Sequence, residues 1–250
     1  MEDGELKLFV KKLDFTNGKY SNKDIFRDVV SLLVFIIQIY MIRNKEYKEQ
    51  YNNLMKKYTE SEQQQIKELA LELAELYNKQ TEPVDLMTEL FGELGLGNKH
   101  TGQFFTPTHI SDLMAKINGI DESLIKEKGY ITLNEPTSGA GGMILAFARE
   151  LQAKGYNPSE NLYVEAWDID IFCTYMTYLQ LAMYDIPAVV VNGDTLALKE
   201  HFTLYTPQYW MGLWNLKTFL STKEDETETT EKSDKRTKVL NILNKMYWGC

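Results

Sequence analysis

Three short apolar runs in the second half of the chain alternate with two segments that have the periodicity of helices. The runs are 130–134, 162–167 and 188–192, and the helical segments are 143–151 and 172–184. Strands that alternate with helices in this way favour right-handed crossovers between neighbouring parallel strands. The third run is apolar and β-branched, which is typical of a strand buried on both faces. We therefore predict an α/β fold with a doubly wound, mostly parallel sheet.

The first hundred residues predict helices that precede this sheet. Apolar residues recur at helical spacing from Ile25 to Ile36 and from Ile66 to Tyr77. The second stripe must pack either on the protein's own core or on a partner helix. The apolar run 29–42 is too short to cross a bilayer, and Ser31 and Gln38 interrupt it. We interpret this run as a buried helix and predict no membrane segment.

A further helix is predicted to begin after residue 105. Thr106 has the residue type of an N-cap, and Pro107 suits the first helical position. The apolar residues of this helix, which we expect to face inward, are Ile110, Leu113, Met114 and Ile117.

Composition divides the chain of 250 residues into three parts. We predict a helical N-terminal region at 1–100, an α/β core at 101–220, and a charged linker with a short C-terminal helix at 221–250. Hydrophobic residues make up 44% of the chain, which is enough to build a buried core. The net charge is −9, whereas proteins that bind nucleic acid unaided usually have a basic surface. Any contact with nucleic acid must therefore be local, weak or supplied by a partner.

The cysteine and histidine content argues against disulfides and metal sites. Cys173 and Cys250 are far apart in the sequence, which fits a reducing cytosol and predicts a cytoplasmic protein. The three histidines, His100, His109 and His201, have no metal-ligand spacing with the cysteines, so we predict no metal.

The first predicted strand is followed by a glycine-rich turn, Glu135-Pro136-Thr137-Ser138-Gly139-Ala140-Gly141-Gly142. Gly139 and Gly141 permit backbone conformations that other residues resist, and the next helix begins with unpaired amides and a partial positive charge. Glu135 disfavours a pyrophosphate here and suits a ligand that carries both an ammonium and a carboxylate. The methionine end of S-adenosylmethionine is such a zwitterion. The alternative is a tight turn with a purely structural role.

Acidic residues also follow the other two predicted strands. Asp168 ends the second strand, where a carboxylate can accept hydrogen bonds from both hydroxyls of a ribose. Asp194 follows the third strand and can accept a hydrogen bond from the amine of an adenine, with Ile169 and Leu196 as apolar neighbours of the ring. The alternatives are a solvated loop acid for Asp168 and a plain turn residue for Asp194.

In this order, the motifs resemble the donor site of DNA adenine-N6 methyltransferases, in particular the modification subunit of type I restriction-modification systems. The likeness covers roughly residues 85–198. The segment 104–107, Phe-Phe-Thr-Pro, resembles the family motif that covers the methionine end of the donor, which assigns Phe105 and Thr106 to cofactor binding. The turn 134–142 resembles the family's Asp-Pro-x-x-Gly-x-Gly motif, which adds Pro136 to that set.

The resemblance implies a Rossmann-like methyltransferase core, S-adenosylmethionine as cofactor, and DNA as substrate. Asp168 and Asp194 match the family's ribose and adenine contacts. Type I systems place target recognition on another subunit, so the resemblance also implies a partner or specificity subunit and a homo- or hetero-oligomer.

Two parts of the family pattern are missing. Family members hold a flipped adenine with an Asn/Asp-Pro-Pro-Tyr/Phe loop after the fourth strand, and this chain has no Pro-Pro pair. The nearest candidate is Thr206-Pro207-Gln208-Tyr209, which makes Thr206 the predicted catalytic acceptor and Tyr209 the predicted stacking ring. The alternative is that Tyr209 and Trp210 are core aromatics. Only 56 residues follow Asp194 (250 − 194), so we predict an incomplete sheet.

Three functions are consistent with this pattern. The first is a DNA adenine methyltransferase, or its modification-type subunit, that uses S-adenosylmethionine. The second is a catalytically silent protein that binds S-adenosylmethionine or a partner within a restriction-modification or mobile-element complex. The third is methylation of an amine outside DNA, such as a protein side chain.

Overall fold

The computed structural model describes residues 3–95 and 105–218, which form α-helices and one four-stranded sheet. The helices are α1 (Asp3–Lys12), α2 (Asn22–Ile36), α3 (Tyr47–Met55), α4 (Glu60–Asn78), α5 (Leu86–Glu93), α6 (Thr108–Asn118), α7 (Glu122–Lys128), α8 (Gly142–Ala153), α9 (Pro158–Asn161), α10 (Ile171–Met183) and α11 (Pro207–Met211). A 3-10 turn, Asp14–Thr16, follows α1, and a π-helical segment, Ile37–Met41, extends α2. The strands are β1 (Ile131–Glu135), β2 (Leu162–Asp168), β3 (Ala188–Asp194) and β4 (Lys199–Tyr205). The predicted linker and C-terminal helix at 221–250 lie outside the described residues.

The sheet has the strand order β1-β2-β3-β4, in which β1, β2 and β3 are parallel and β4 is antiparallel to β3. The predicted α/β fold with a mostly parallel sheet is confirmed, and the sheet is small. Both crossovers, through α8 and α10, extend the sheet in the same direction. The reversal of strand order that would make the sheet doubly wound is not formed by the described residues.

The fourth strand was not predicted from the sequence. Its first three residues are exposed, and only Leu204 is fully buried, so the apolar signal along the segment is weak. β4 forms because the edge of β3 is free to pair, and this condition is not visible in the local sequence. Its antiparallel direction returns the chain to the amino ends of the parallel strands.

Alternate residues of the parallel strands point into one apolar layer beneath α8 and α10. Those of β2 and β3 are Leu162, Val164, Ala166, Ala188 and Val190, all of them buried. The opposite face of the sheet carries a smaller aromatic cluster of Tyr130, Tyr163, Tyr209 and Trp214. The helices therefore cover one face, and the chain after β4 covers part of the other.

The N-terminal helices pack directly against α10. The rings of Phe26 in α2 and Phe172 in α10 pack edge to face, with their centroids 5.8 Å apart. Gln38 Nε2 donates a hydrogen bond of 2.7 Å to the Tyr178 hydroxyl. The predicted stripe of α4 is buried in this same core, which decides in favour of the protein's own core over a partner helix. Met1–Trp214 is one compact unit, and its helices continue through α6 and α7 before the first strand begins at Ile131. Within residues 3–95 and 105–218, no helix combines the length and apolar character that a membrane span requires.

The prediction for α6 was wrong in two respects. Thr106 is not the N-cap, because the helix begins at Thr108 and the extended Pro107 takes the cap position. The stripe predicted to face inward is exposed, with Leu113 at 52% and Ile117 at 67% exposure. The small residues Ser111 and Ala115 are buried instead, because they allow α6 to pack closely against α8.

Candidate ligand-binding site at the carboxyl ends of the strands

Three predicted carboxylates lie at one edge of the sheet. Glu135, Asp168 and Asp194 are the last residues of β1, β2 and β3, and these strands are parallel. In the register of β1 and β2, Glu135 pairs with Ala166, which lies two residues before Asp168. Carboxyl ends of parallel strands are where α/β proteins bind nucleotide-like ligands.

The glycine turn has the backbone conformation for which glycine was predicted. Gly139 has a φ of 58° and Gly141 has a φ of 94°, both in the left-handed region that favours glycine. The turn is tied to β2, because the amide of Ser138 donates a 2.8 Å hydrogen bond to the Trp167 carbonyl. Helix α8 begins at Gly142, so the amides of its first turn have no partner within the helix and point toward the turn.

Asp168 holds the glycine turn through its carboxylate. Its Oδ2 accepts a 2.8 Å hydrogen bond from the Gly139 amide, and its Oδ1 accepts a 2.8 Å hydrogen bond from the Asp170 amide. Burial raises the pKa of Asp168, and the backbone hydrogen bonds oppose that rise. Asp168 is therefore half-buried and partly engaged by the protein itself.

Glu135 lies beside this carboxylate and has one weak partner of its own. Its Oε1 accepts a hydrogen bond of 3.4 Å from the Thr137 amide. Burial raises the pKa of Glu135; the Thr137 amide lowers it, and the charge of Asp168 raises it further. Two neighbouring carboxyl groups with raised pKa values favour a cation at this edge, because a positive charge relieves both burial and repulsion.

Asp194 caps the turn that follows β3. Its Oδ1 accepts hydrogen bonds of 3.0 Å from the amides of Leu196 and Ala197, the arrangement expected of a turn residue. The side chains of Ile169 and Leu196 are 66% and 99% exposed on the loops after β2 and β3. Both apolar surfaces are free of packing and available to a ligand.

A cavity of about 80 Å³ lies between the glycine turn and the helices before it. Its walls include Phe105, Thr106, Gly139, Asp85 and Met143. The Phe105 ring packs so closely that a Cβ at position 139 would lie 3.2 Å from it. The structure thus brings together the two predicted motifs that the sequence separates by about thirty residues.

The remaining predicted ligand residues do not line this cavity. Gly141 belongs to the glycine turn but is not among the walls of the cavity. The other six lie along the same edge of the sheet outside the cavity: Glu135, Pro136, Asp168, Ile169, Asp194 and Leu196. Two hydrogen bonds connect the cavity walls to these residues: that of the Gly139 amide to Asp168, and that of the Thr137 amide to Glu135. A bond of 2.6 Å from the Thr195 hydroxyl to the Pro136 carbonyl joins the turn to the loop after β3. A larger groove of about 400 Å³ lies away from all of these motifs, between α1 and α4. Over residues 3–95 and 105–218, no cluster of three or more His, Cys, Asp or Glu side chains could hold a metal ion.

Sequence reasoning missed a polar stripe on α10 that supports the turn. Thr174, Thr177 and Gln180 are fully buried and are spaced by three residues, so they share one face of the helix. Thr177 Oγ1 lies 3.0 Å from the Gly139 carbonyl oxygen, and Gln180 Nε2 donates a 2.6 Å hydrogen bond to the Ala140 carbonyl. Three polar residues at this spacing in an otherwise apolar helix were the signal that could have revealed them.

Thr206 and Tyr209 do not join the cluster at the carboxyl ends. The Thr206 hydroxyl accepts a 2.9 Å hydrogen bond from the Ala188 amide and donates one of 2.9 Å to the Ile186 carbonyl. Ala188 begins β3 and Asp194 ends it, so the two ends are about 20 Å apart at a rise of about 3.3 Å per residue. Thr206 thus joins β3 to α11 away from the carboxyl ends, and Tyr209 lies in the aromatic cluster, whereas Trp210 is 42% exposed. A catalytic role for Thr206 and Tyr209 stays a prediction.

The Thr206→Val variant tests whether Thr206 contributes to the site or only to stability. Valine fills the same space but removes both hydrogen bonds of a buried hydroxyl, so we expect the free energy of unfolding to fall by about 2 kcal/mol. Urea unfolding measures that change, and calorimetry with S-adenosylmethionine should give unchanged affinity. If the affinity for S-adenosylmethionine falls while the free energy of unfolding is unchanged, Thr206 is part of the binding site.

The fold and the site define an α/β protein with a glycine turn and three carboxylates at the carboxyl ends of its parallel strands, which is where such sheets bind nucleotide-like ligands. Residues 95–237, more than half of the chain, match the family described as N-6 DNA methylase. The chain belongs to the N-6 DNA methylase family. No match was found among curated protein sequences.

One solved structure is similar to this chain. It is a protein from Listeria monocytogenes described as a class I S-adenosylmethionine-dependent methyltransferase, with 16% identity and a TM-score of 0.35. The alignment covers 69% of this chain and 54% of that one, so the chain spans about half the length of that structure. The likeness is too distant to support any inference about individual residues.

Proposed function

We propose that this chain binds S-adenosylmethionine at the carboxyl ends of its parallel strands and supplies the donor-binding part of an N-6 DNA methylase. The observation that carries the proposal is the glycine turn. Gly139 and Gly141, which have positive φ, hold the turn beside the first amides of α8. The carboxylate of Asp168, at the end of the next strand, accepts a hydrogen bond from the Gly139 amide of the turn. Membership of the family supports the same ligand.

The proposed ligand extends from the cavity along the edge of the sheet. Its methionine end lies at Phe105, Thr106 and the turn of Glu135, Pro136, Gly139 and Gly141. Asp168 accepts hydrogen bonds from the hydroxyls of its ribose. Each carboxylate oxygen has two lone pairs, and a backbone amide donates a hydrogen bond to one of them on each oxygen. Asp194, Ile169 and Leu196 contact its adenine.

Charge favours this donor over its product. S-adenosylmethionine has a sulfonium, which S-adenosylhomocysteine lacks. Glu135 and Asp168 have raised pKa values, so their ionised forms are the ones that a nearby cation stabilises. The site therefore prefers the charged donor, and donor binding draws protons off these carboxyl groups.

We propose adenine in DNA as the acceptor of the methyl group. Thr206 and Tyr209, the predicted base contacts, lie at the amino ends of the strands. The net charge of −9 favours a partner or specificity subunit that brings the DNA. We also propose a restriction-modification setting, from the resemblance to type I modification subunits, and a cytoplasmic location, from the cysteine content. The same observations favour a second candidate, a subunit that binds the donor but does not transfer its methyl group.

Calorimetric titration tests the proposal. We expect saturable binding of S-adenosylmethionine that weakens as the pH is lowered from neutral, because carboxyl groups with raised pKa values take up protons at a higher pH than ordinary carboxyl groups do. The uncharged 5′-methylthioadenosine should bind with little pH dependence, which makes it the control. Absence of heat with both S-adenosylmethionine and S-adenosylhomocysteine would refute the proposal.

Methyl transfer separates the two candidates. Protein, labelled donor and unmethylated DNA are incubated together, and the label is followed in DNA and in added protein. Label in DNA supports the methyltransferase, and binding without any label supports the silent subunit. Label in protein would favour the third hypothesis, an amine outside DNA.

A further inference from the structure

A carboxylate oxygen that lacks a partner lies in the wall of the cavity. Asp85 is only 1% exposed, and its Oδ1 accepts hydrogen bonds from the Thr88 amide at 3.1 Å and from Gln180 Nε2 at 2.9 Å. Its Oδ2 has no hydrogen-bond partner among the residues that the structure describes. A buried carboxylate oxygen without a partner is costly, which indicates that something else binds there.

This oxygen faces the beginning of α8. A Cβ added at Gly142 would collide with Asp85 Oδ2, so a larger residue at that position would displace this carboxylate. Two more buried oxygens without a partner among the described residues, Thr88 Oγ1 and Ser111 Oγ, lie on α5 and α6. A Cβ at position 142 would lie 3.9 Å from Ser111 Oγ, so this hydroxyl is also close to the start of α8. Thr88 lines the cavity together with Asp85.

The chemistry of the cluster is that of a site for an amino-acid group. An ammonium donates three hydrogen bonds and needs oxygen acceptors, which the carboxylate and the two hydroxyls supply. The unpaired amides at the start of α8 suit a carboxylate. The ammonium and carboxylate of an α-amino acid are attached to one carbon, so they need acceptors and donors side by side, as they are at Gly142.

We infer that Asp85 binds the α-ammonium of S-adenosylmethionine, with help from Thr88 and Ser111. The inference rests on the proposed function and makes it more specific. It assigns the ammonium to a residue of the N-terminal helices, and it leaves Glu135, which does not line the cavity, to the sulfonium side of the ligand. The helical region is then part of the binding site.

The Asp85→Asn variant tests the inference by calorimetry with two ligands. S-adenosylmethionine has the amino-acid group and 5′-methylthioadenosine lacks it. We expect affinity for S-adenosylmethionine to fall at least about tenfold, because the variant offers an amide donor to an ammonium. Affinity for 5′-methylthioadenosine should stay within about twofold of the wild type.

Asp121→Asn is the matched control, because Asp121 caps α7 as Asp85 caps α5 but is exposed and does not line the cavity. It should leave both affinities unchanged. Ser111→Ala removes a hydroxyl without a described partner and should weaken only S-adenosylmethionine, by about threefold. This second variant keeps the test decisive if Asp85→Asn fails to fold.

The outcomes distinguish this inference from the proposal on which it depends. If Asp85→Asn lowers the affinity for both ligands equally, Asp85 only maintains the shape of the cavity. If the affinity for both ligands is unchanged, Asp85 is not part of the site. Either result overturns the inference and leaves donor binding intact. A wild-type protein that binds neither ligand would overturn the proposed function, and the inference with it.

Discussion

The Gly141→Ala variant is expected to bind S-adenosylmethionine at least about tenfold more weakly than the wild type. Gly141 has a φ of 94°, a conformation in which alanine is strained by about 1–3 kcal/mol. The turn can relieve that strain by rotating the peptide groups on either side of residue 141. Such a rotation displaces the Gly139 amide from Asp168 and the first amides of α8 from the ligand. Calorimetric titration measures the loss.

Gly155→Ala provides the matched control for this variant. Gly155 has a φ of 86° and follows α8, and a Cβ there would have no heavy atom within 4 Å. Both variants therefore bear the same kind of backbone strain, but only position 141 belongs to the turn. Both should unfold at lower urea concentrations, while the affinity changes only in Gly141→Ala. Equal affinities for the two variants would show that the turn does not hold the donor.

The Gln180→Leu variant is expected to lower the free energy of unfolding by about 3 kcal/mol. Gln180 is fully buried, and its Nε2 donates to both Ala140 and Asp85. Its Oε1 accepts hydrogen bonds of 3.4 Å from the Met87 amide and 3.3 Å from the Tyr77 hydroxyl. Leucine fills a similar volume but leaves these polar groups buried without their partner. Urea unfolding followed by circular dichroism measures the change.

Gln65→Leu is the control, since Gln65 is an exposed residue of the helix α4. Its substitution should change the free energy of unfolding by no more than about 0.5 kcal/mol. Because Gln180 also holds the Ala140 carbonyl of the turn, we expect Gln180→Leu to weaken donor binding as well. A Gln180→Leu protein as stable as the wild type would show that the hydrogen bonds of this side chain contribute little.

Secondary structure in the second half of the chain was predictable because its signals are local. The strands β1, β2 and β3 lie within two residues of the predicted runs, and α8 and α10 follow the predicted helices as closely. Each signal depends on alternation or helical spacing within about ten residues. β4 and the inner face of α6 were not predictable, since both depend on which neighbour offers a free edge or a close approach.

Some residues of the candidate site could likewise be predicted from the sequence, and others could be recognised only in the structure. The glycine turn and the acids at the strand ends could be found from sequence, because strand ends and turn residues have a recognisable pattern. Asp85 has the pattern of an ordinary helix cap, and only its position against Gly142 and Gln180 sets it apart. The sequence does not show in which direction β4 runs, so it could not show that Thr206 and Tyr209 lie at the amino ends of the strands.

The amino-acid sequence by itself determined the parallel strands, the conformation of the turn and the row of carboxylates, because these depend on backbone preferences and periodicity over short segments. The tertiary structure alone decided which side chains surround the turn. Asp85 and Gln180 are 95 residues apart in the chain, and burial and missing hydrogen-bond partners exist only once the helices have packed around them.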